Sequence, residues 1–399
     1  MRRSREAPIR TRIAIVGAGP AGMFLAHLLH RQGLDCVVVE RKDRAHVEGR
    51  VRAGVLERVT VDLMTHLGLA DRLRREGLVH TGVNLACDGG IFRIDMAELT
   101  GGASVTVYGQ QEVMKDLFDG AEARGIQVVF GAEDVALHDL DTPAPFVTWR
   151  SQGLAFRLDC EAVAGCDGFH GVSRASIPED AIARFERAYP FGWLGVLTEA
   201  PPCSDELIYA NHERGFALAS MRSPTRSRYY IQCGPEARTD DWPDERFWDE
   251  LCVRLGPEAG GRVDRRPTFE KSIAPLRSFV VEPLRHGRLV LAGDAAHIVP
   301  PTGAKGLNLA ASDAIMLSEA LAEALGTGDE TALDRYSRRA LARVWKAERF
   351  SWWFTTLTHR FPDMAGFERR MQTAELAYIR GSRAAQTVVA ENYVGLPLE

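Results

Sequence analysis

The sequence of 399 residues lacks features that mark several classes of protein. It has no apolar run of about eighteen residues, so no transmembrane helix and no membrane partner are expected. Its seven cysteines are scattered and lack C-x-x-C spacing, which predicts unpaired thiols in a reducing cytoplasm and no metal site. Neither sign of charge dominates: 49 basic residues against 54 acidic ones leave a formal net charge of −5. Nucleic acid is therefore not an expected partner.

A glycine-rich turn near the N-terminus carries the first functional signal. Residues 13–16 form a β-branched run that stops at Gly17, and apolar residues at helical spacing follow Gly22. With Gly19 between them, these glycines have the spacing G-x-G-x-x-G, which permits a tight turn, close approach of a pyrophosphate and close helix packing. A second strand ends at Glu40, whose carboxylate can accept hydrogen bonds from a ribose. The combination predicts a dinucleotide site but does not distinguish FAD from NAD(P).

A second strand, loop and helix unit lies far along the chain. The strand at residues 288–292 ends at Asp294, and a long glycine-rich loop leads to a helix that begins near Asn308. The acid can hold a ribityl hydroxyl, and the helix N-terminus can face an electron-rich ring. Two such units favour one extended dinucleotide, FAD. Arg50 and Arg52 belong either to a solvated basic loop or to a phosphate contact.

The region between these units has a different pattern of predicted secondary structure. Residues 184–279 contain short strand candidates separated by turns, which predicts a mostly antiparallel sheet. We therefore expect an α/β protein with a Rossmann-like FAD-binding domain formed by residues 12–183 and 280–399. Its C-terminal part is helical, with aromatic residues at helical spacing that suit a core or a dimer contact. The substrate-binding sheet domain, residues 184–279, is inserted into it, and residues 1–11 form a flexible extension.

Several motifs resemble the class A flavoprotein aromatic hydroxylases. The shared elements are Gly17-Ala-Gly-Pro-Ala-Gly22, the Asp167-Gly168 turn and Gly293-Asp294. Residues 50–57, 189–195, 206–211, 300–310, 346–353 and 391–397 are most similar to members that act on 4-hydroxybenzoate. The resemblance extends from residue 13 to the end of the chain, and it implies a homodimer.

The resemblance also implies a reaction. NADPH reduces FAD, and a flavin C4a-hydroperoxide formed with O2 transfers one oxygen to C3 of 4-hydroxybenzoate, giving 3,4-dihydroxybenzoate. Ser220, Arg222 and Tyr230 would hold the substrate carboxylate. The implied phenol and proton-path residues are Tyr209, Tyr393, His80 and the backbone carbonyl of Pro301.

The implied nucleotide contacts fall into two sets. For FAD they are Gly17, Gly19, Gly22, Glu40, Arg50, Arg52, Gln110, Asp294, Leu307 and Asn308; for NADPH they are Arg41, Phe169, His170, Arg174 and Arg277. Lys42 and His46 stand where family members often carry a glutamine and a tyrosine. Because both could be positively charged, NADPH is the expected reductant, and NADH remains open.

Two other functions remain alternatives. The same scaffold could act on a related para-substituted or dihydroxylated benzoate, although the tyrosine pair favours a phenol and Arg222 favours an acid. A non-catalytic flavoprotein should lack the carboxylate clamp and the proton path, and this sequence has candidates for both.

Overall fold

The structure is a computed structural model that describes residues 9–49 and 54–398. In chain order its strands are β1 (Ile9–Arg10), β2 (Ile13–Val16), β3 (Cys36–Val39), β4 (Val55–Leu56), β5 (Leu78–His80), β6 (Gly82–Cys87), β7 (Gly90–Asp95), β8 (Val105–Val107), β9 (Gln127–Val129), β10 (Glu133–His138), β11 (Phe146–Ser151), β12 (Leu154–Asp159), β13 (Ala162–Gly165), β14 (Ala183–Thr198), β15 (Ile208–Ala210), β16 (Ala217–Ser223), β17 (Arg226–Cys233), β18 (Thr268–Glu282), β19 (Arg285–His286), β20 (Leu289–Leu291) and β21 (His297–Ile298).

The α-helices are α1 (Pro20–Arg31), α2 (Arg44–Gly49), α3 (Arg58–His66), α4 (Asp71–Glu76), α5 (Met96–Leu99), α6 (Gln110–Arg124), α7 (Val172–Ala175), α8 (Asp244–Gly260), α9 (Gly306–Thr327), α10 (Thr331–Thr358), α11 (Gly366–Gly381) and α12 (Arg383–Val394). Short 3-10 turns occur at Glu179–Ala181, Thr239–Asp241, Gly293–Ala295 and Pro301–Gly303. In the described part of the chain, none of the helices has the length and apolar character needed to span a membrane.

A six-stranded sheet confirms the Rossmann-like prediction. Its order is β19-β20-β13-β2-β3-β9, and the strands from β20 to β9 run parallel. The central strands are short runs of alanine and β-branched residues that are buried on both faces, as a parallel sheet requires. Because the carboxyl ends of parallel strands meet at one edge, Gly17, Glu40, Asp167 and Asp294 follow strands at the same edge.

An eight-stranded sheet confirms the mostly antiparallel region. Its order is β21-β18-β14-β17-β16-β15-β6-β7, and only the β15–β6 pair within it runs parallel. Strands β14 to β18 cover the predicted insertion, whereas β6, β7 and β21 come from the flanking segments. The division into residues 12–183 with 280–399 and residues 184–279 stays a prediction. At the N-terminus, Ile9 and Arg10 pair with β12, so the chain is ordered earlier than the expected extension, residues 1–11, implies.

Helices α10, α11 and α12 cover one face of the eight-stranded sheet. Buried aromatic side chains from α10, α12 and the sheet share one apolar cluster, which contains Phe350, Phe354, Tyr393, Tyr209 and Phe216. The helical prediction for the region of α10 is confirmed. Helices α11 and α12 confirm the predicted helical C-terminal region, although the apolar pattern located only the residues of α10.

Candidate active site

Close backbone contacts shape the glycine turn between β2 and α1. Gly17 has a φ of +105°, and a Cβ there would lie 2.4 Å from the carbonyl oxygen of Cys166. A Cβ on Gly22 would lie 2.0 Å from the carbonyl oxygen of Gly17, so a side chain would clash at either glycine. A Cβ on Gly19 would meet no atom within 4 Å. The backbone at Gly19 therefore borders open space at the N-terminus of α1, which suits a pyrophosphate.

Glu40 follows β3 and closes this turn. Its Oε2 accepts a hydrogen bond of 2.8 Å from the Ala18 amide, and its Oε1 accepts one of 2.8 Å from the Lys42 amide. A carboxylate has about four acceptor positions, so both oxygens can also accept from a ribose. The role of Glu40 toward a nucleotide stays a prediction. Arg50 and Arg52 lie outside the described residues.

The second nucleotide loop, which carries Asp294, rests on a buried Asp–His pair. Asp313 Oδ2 accepts hydrogen bonds from the Gly293 amide at 2.8 Å and from His297 Nε2 at 2.6 Å. Burial disfavours charge on His297, but the adjacent Asp313 carboxylate outweighs it and raises the pKa of the imidazole. This pair holds the turn Gly293–Ala295 against α9.

At the N-terminal turn of α9, the Asn308 side chain is engaged within the protein, which leaves backbone amides for the predicted flavin contact. Asn308 Oδ1 accepts hydrogen bonds from the Glu57 amide at 2.9 Å and from Thr60 Oγ1 at 2.7 Å, and its Nδ2 donates to two backbone carbonyls. The side chain thus ties β4 and α3 to α9. Leu307 and Asn308 lie in the first turn of α9, whose amides have no carbonyl partner within the helix. Gln110 is the first residue of α6 and is half-buried.

Cross-strand pairing places the predicted substrate residues on one face of the eight-stranded sheet. Tyr209 of β15 pairs with Leu218 of β16, Leu218 pairs with Tyr230 of β17, and Tyr230 pairs with Gly195 of β14. Two strand spacings separate the backbones of Tyr209 and Tyr230, about 10 Å. A Cβ on Gly195 would lie 2.7 Å from the Tyr230 ring, so this glycine makes room for the tyrosine.

Two predicted tyrosines meet in the interior. The hydroxyl oxygens of Tyr209 and Tyr393 are 2.8 Å apart, and both side chains are almost completely buried. Burial raises the pKa of Tyr209 and of Tyr393 above the ordinary value, so both remain protonated at neutral pH. Each hydroxyl can therefore donate one hydrogen bond while it accepts another.

Ser220 and Arg222 lie on the same face of β16. Arg222 Nη1 donates hydrogen bonds to Ser220 Oγ at 3.3 Å and to the Met221 carbonyl at 2.9 Å. Burial lowers the pKa of the Arg222 guanidinium, and interaction with the Tyr230 hydroxyl raises it. An arginine stays charged in proteins, so Arg222 is a half-buried cation that can bind an anion.

Arg228 is a buried cation that the sequence analysis missed. Its Nη1 lies 2.8 Å from Glu270 Oε1 and its Nη2 donates to Ser272 Oγ at 3.3 Å. The guanidinium carbon is 5.0 Å from the centre of the Tyr230 ring. Arg228 pairs with Ser220 across the strands, so it supports the residues of the predicted carboxylate clamp.

No hydrogen bond in the described structure joins His80 or Pro301 to the two tyrosines. His80 is 1% exposed, and neither ring nitrogen has a hydrogen-bond partner among the described residues. Burial lowers the pKa of His80, so the imidazole is neutral and can both donate and accept. No hydrogen bond joins it to Tyr393 in the described structure. The Pro301 carbonyl accepts a hydrogen bond of 2.9 Å from the Ala304 amide, and its role toward a substrate stays a prediction.

Four of the five predicted nicotinamide residues form one cluster. The Phe169 ring contacts the His170 ring, with centroids 4.9 Å apart. The guanidinium carbons of Arg174 and Arg277 lie 4.7 and 4.4 Å from the centre of the Phe169 ring. Arg174 also donates to the Ala295 carbonyl at 2.8 Å, which ties the cluster to the loop of Asp294. Arg41 is exposed on the loop after β3 and makes no contact with the cluster among the described interactions.

The comparisons with known proteins agree with this geometry. A sequence profile of an FAD binding domain family matches residues 10–351. The p-hydroxybenzoate hydroxylase of Acinetobacter baylyi is 54% identical over 391 residues, which are 98% of this chain and 96% of that protein. The chain belongs to the class A flavoprotein hydroxylases.

More distant flavoprotein hydroxylases share the fold. A 3-(3-hydroxy-phenyl)propionate/3-hydroxycinnamic acid hydroxylase of Mycobacterium avium is 25% identical and aligns with 84% of this chain and 59% of that protein. The crystal structure of a p-nitrophenol 4-monooxygenase from Pseudomonas putida superimposes with a TM-score of 0.82 at 18% sequence identity. The superposition covers 98% of this chain and 100% of that one.

As a member of this family, the flavoprotein hydroxylase is a monooxygenase that carries FAD and takes electrons from NAD(P)H. The chain fits that cofactor, because the open space at Gly19 and the free amides at the N-termini of α1 and α9 suit a pyrophosphate and an electron-rich ring. Glu40 and Asp294 lie at the same sheet edge. The residue assignments themselves stay predictions.

Proposed function

We propose that this flavoprotein hydroxylase converts 4-hydroxybenzoate into 3,4-dihydroxybenzoate. The observation that carries the proposal is one sheet face with the half-buried Arg222 toward one end and the buried Tyr209–Tyr393 hydroxyl pair toward the other. A para-hydroxylated benzoate has an acid and a phenol at opposite ends. The 54% identity with the Acinetobacter baylyi p-hydroxybenzoate hydroxylase supports the same substrate.

Arg222, Ser220 and Tyr230 bind the carboxylate in this proposal. The guanidinium donates charge-assisted hydrogen bonds, which are about twice as strong as neutral ones. The hydroxyls of Ser220 and Tyr230 supply further donors. Because the partial burial of Arg222 removes part of its hydration, an arriving carboxylate replaces some of the lost water and fixes the orientation of the ring.

Tyr209 and Tyr393 control the phenol proton. The protonated Tyr209 hydroxyl donates to the substrate oxygen and stabilises it as a phenolate, and the phenol proton passes through the hydroxyl pair. His80, with both ring nitrogens unpartnered in the described structure, has the donor and acceptor atoms to continue the path through water. A phenolate has a more electron-rich ring than a phenol, so its C3 is the better nucleophile toward an electrophilic oxygen.

The cofactor supplies the redox chemistry when it is bound. Held by the turn at Gly19 and by Glu40 and Asp294, FAD would transfer electrons from NADPH to O2. One oxygen atom would then enter the substrate, and the other would leave as water. Overall, 4-hydroxybenzoate, NADPH, O2 and one proton give 3,4-dihydroxybenzoate, NADP⁺ and water. The protein orients the substrate, excludes water from the buried cluster around Tyr209 and manages the phenol proton.

The test of this function is NADPH oxidation and oxygen uptake by the holoenzyme, with chromatography of the products. We expect 4-hydroxybenzoate to stimulate NADPH oxidation and to yield an equimolar amount of 3,4-dihydroxybenzoate. 4-Aminobenzoate and 3,4-dihydroxybenzoate are the matched alternative substrates. Faster hydroxylation of either would overturn the substrate assignment, and the absence of stimulation by all three would overturn the catalytic role.

The loop after β3 is proposed to bind the 2′-phosphate of NADPH. Arg41, Lys42 and His46 are exposed there, whereas Arg44 is already paired with three carboxylates. Arg41→Ala and Lys42→Ala should each raise the KM for NADPH about tenfold, the equivalent of about 1.4 kcal/mol, and change the KM for NADH little. Arg58→Ala, an exposed arginine on α3, is the control. Equal effects on both nucleotides would show that the loop does not bind the phosphate.

We also propose a cytoplasmic homodimer. All seven cysteines are free, as expected in a reducing compartment. Helix α11 exposes Phe367, Met371 and Tyr378 on one face, with 70%, 50% and 59% of each residue accessible. An apolar helix stripe of this kind is typical of a surface that another subunit covers. Sedimentation of the holoenzyme measures the oligomeric state directly.

A further inference from the structure

The C-terminal end of α12, which carries Tyr393, is held by a buried lysine. Lys305 is 4% exposed, and its Nζ donates hydrogen bonds to the carbonyl oxygens of Asn392 and, at 3.2 Å, of Tyr393. The same ammonium lies 2.5 Å from Glu57 Oε1. The lysine therefore contacts the backbone of the residue whose hydroxyl meets Tyr209.

Arg343 of α10 holds the chain immediately after α12. Its Nη1 donates to the carbonyl oxygens of Leu396 at 2.7 Å and Pro397 at 3.1 Å, and its Nη2 is 3.4 Å from Glu57 Oε2. Its Nε donates to Ser312 Oγ of α9 at 3.0 Å. One side chain thus joins α9, α10 and the chain end.

Gly395 completes the contact between this chain end and Glu57. It has a φ of +99°, and a Cβ there would lie 2.2 Å from Glu57 Oε2. The segment is therefore pressed against the carboxylate that Lys305 and Arg343 share. A helix as short as α12, with 12 residues, is marginal without tertiary contacts, so the position of its last turn depends on these contacts.

We propose that Arg343 is a positioning residue for Tyr393: by holding the carbonyls of Leu396 and Pro397, it keeps the Tyr393 hydroxyl in hydrogen-bond contact with Tyr209. A hydroxyl–hydroxyl hydrogen bond weakens once its oxygens separate beyond about 3.0 Å, so a small shift of the last turn breaks the proton path. This inference rests on the role that the proposed function gives to Tyr393.

The first test uses Arg343→Met, which removes the two carbonyl contacts, and Arg343→Lys, which keeps the charge but loses the fork geometry. Both substitutions shorten a side chain that borders a cavity of about 20 Å³, so neither introduces a clash. We expect Arg343→Met holoenzyme to retain FAD, to show faster amide exchange at residues 392–398 and to have a raised apparent pKa of bound 4-hydroxybenzoate. Arg343→Lys should be intermediate.

The matched control is Arg339→Met, one helical turn earlier on α10, where the arginine contacts Glu319 at the surface. It should behave as wild type in both measurements. Gly395→Ala keeps the Arg343 side chain but displaces the same segment, because its Cβ would clash with Glu57 Oε2. We expect it to raise the apparent pKa of the bound phenol as Arg343→Met does. An unchanged titration in both variants, with increased exchange in either, would overturn the positioning role.

A double-mutant cycle separates positioning from general destabilisation. If Arg343 acts through Tyr393, Arg343→Met should add nothing to the changed pH profile and coupling ratio of Tyr393→Phe; independent sites would add their effects. Full additivity overturns the inference. Failure of the proposed function is distinguishable, because wild-type enzyme would then form no 3,4-dihydroxybenzoate, or Tyr393→Phe alone would leave the titration unchanged.

Discussion

Tyr209→Phe holoenzyme is expected to bind 4-hydroxybenzoate as the neutral phenol and to convert most of the consumed NADPH into hydrogen peroxide. The substitution removes one oxygen and almost no volume from a fully buried site. A hydrogen bond to a charged group contributes about 1.5–3 kcal/mol, so its loss should raise the apparent pKa of the bound phenol by about one to two units. The ring of the neutral phenol is then too electron-poor to react efficiently with the electrophilic oxygen.

The measurement is the absorption spectrum of bound substrate against pH, together with the ratio of dihydroxy product to NADPH consumed. Tyr393→Phe should keep the Tyr209 hydroxyl but remove the next proton carrier, so hydroxylation slows and its pH profile shifts. Tyr229→Phe is the matched control, because Tyr229 is equally buried in the same sheet but packs on the opposite face, against α8. Wild-type phenolate titration and coupling in both Tyr209→Phe and Tyr393→Phe would contradict the proposed proton path.

Arg222→Lys should weaken 4-hydroxybenzoate binding about 100-fold, the equivalent of about 2.7 kcal/mol. Lysine keeps the positive charge but replaces a planar fork with a single ammonium. It also loses the contacts with Ser220 Oγ and the Met221 carbonyl that orient the guanidinium. Titration of the flavin spectrum with substrate gives the dissociation constant, and the absorbance ratio of flavin to protein gives the FAD content, which should not change.

Arg226→Lys is the control for this substitution. Arg226 begins β17 at the end of the same hairpin, but it is exposed and pairs with Glu199 at the surface. Its conversion to lysine should leave substrate affinity unchanged. An unaltered dissociation constant in Arg222→Lys would show that another cation, with buried Arg228 the nearest candidate, binds the carboxylate.

The nucleotide elements could be predicted from the sequence because their requirements are local. A Cβ at Gly17 or Gly22 would collide with the backbone of the same strand–turn–helix unit or of the adjacent strand end. Glycine is therefore required at both positions, and the sequence shows this as a motif with fixed spacing. Glu40 follows the next strand at a spacing that the parallel sheet itself sets. These signals depend on a few neighbouring residues and require no knowledge of the distant chain.

The proposed substrate site could not be predicted in this way, because its contacts join distant residues. The contact between Tyr209 and Tyr393 spans 184 positions, and only the resemblance to known hydroxylases suggested it. Spacing alone carried no signal for the pairs Asp313–His297 and Arg228–Glu270. A buried ionisable residue inside an apolar run, such as Asp313 within α9, is the one local feature that could have marked such a pair.

The parallel pairing of β15 with β6 limits how this substrate site can be recombined with other flavin scaffolds. Residues 184–279 form one contiguous segment of the sequence. However, β15, which carries Tyr209, pairs with β6, formed by residues 82–87 outside that segment. Transplanting residues 184–279 alone would separate β15 from β6 and leave β15 as an unpaired edge strand in the chimera. Chimeras that exchange substrate preference must therefore carry the β6–β7 hairpin along with the insert.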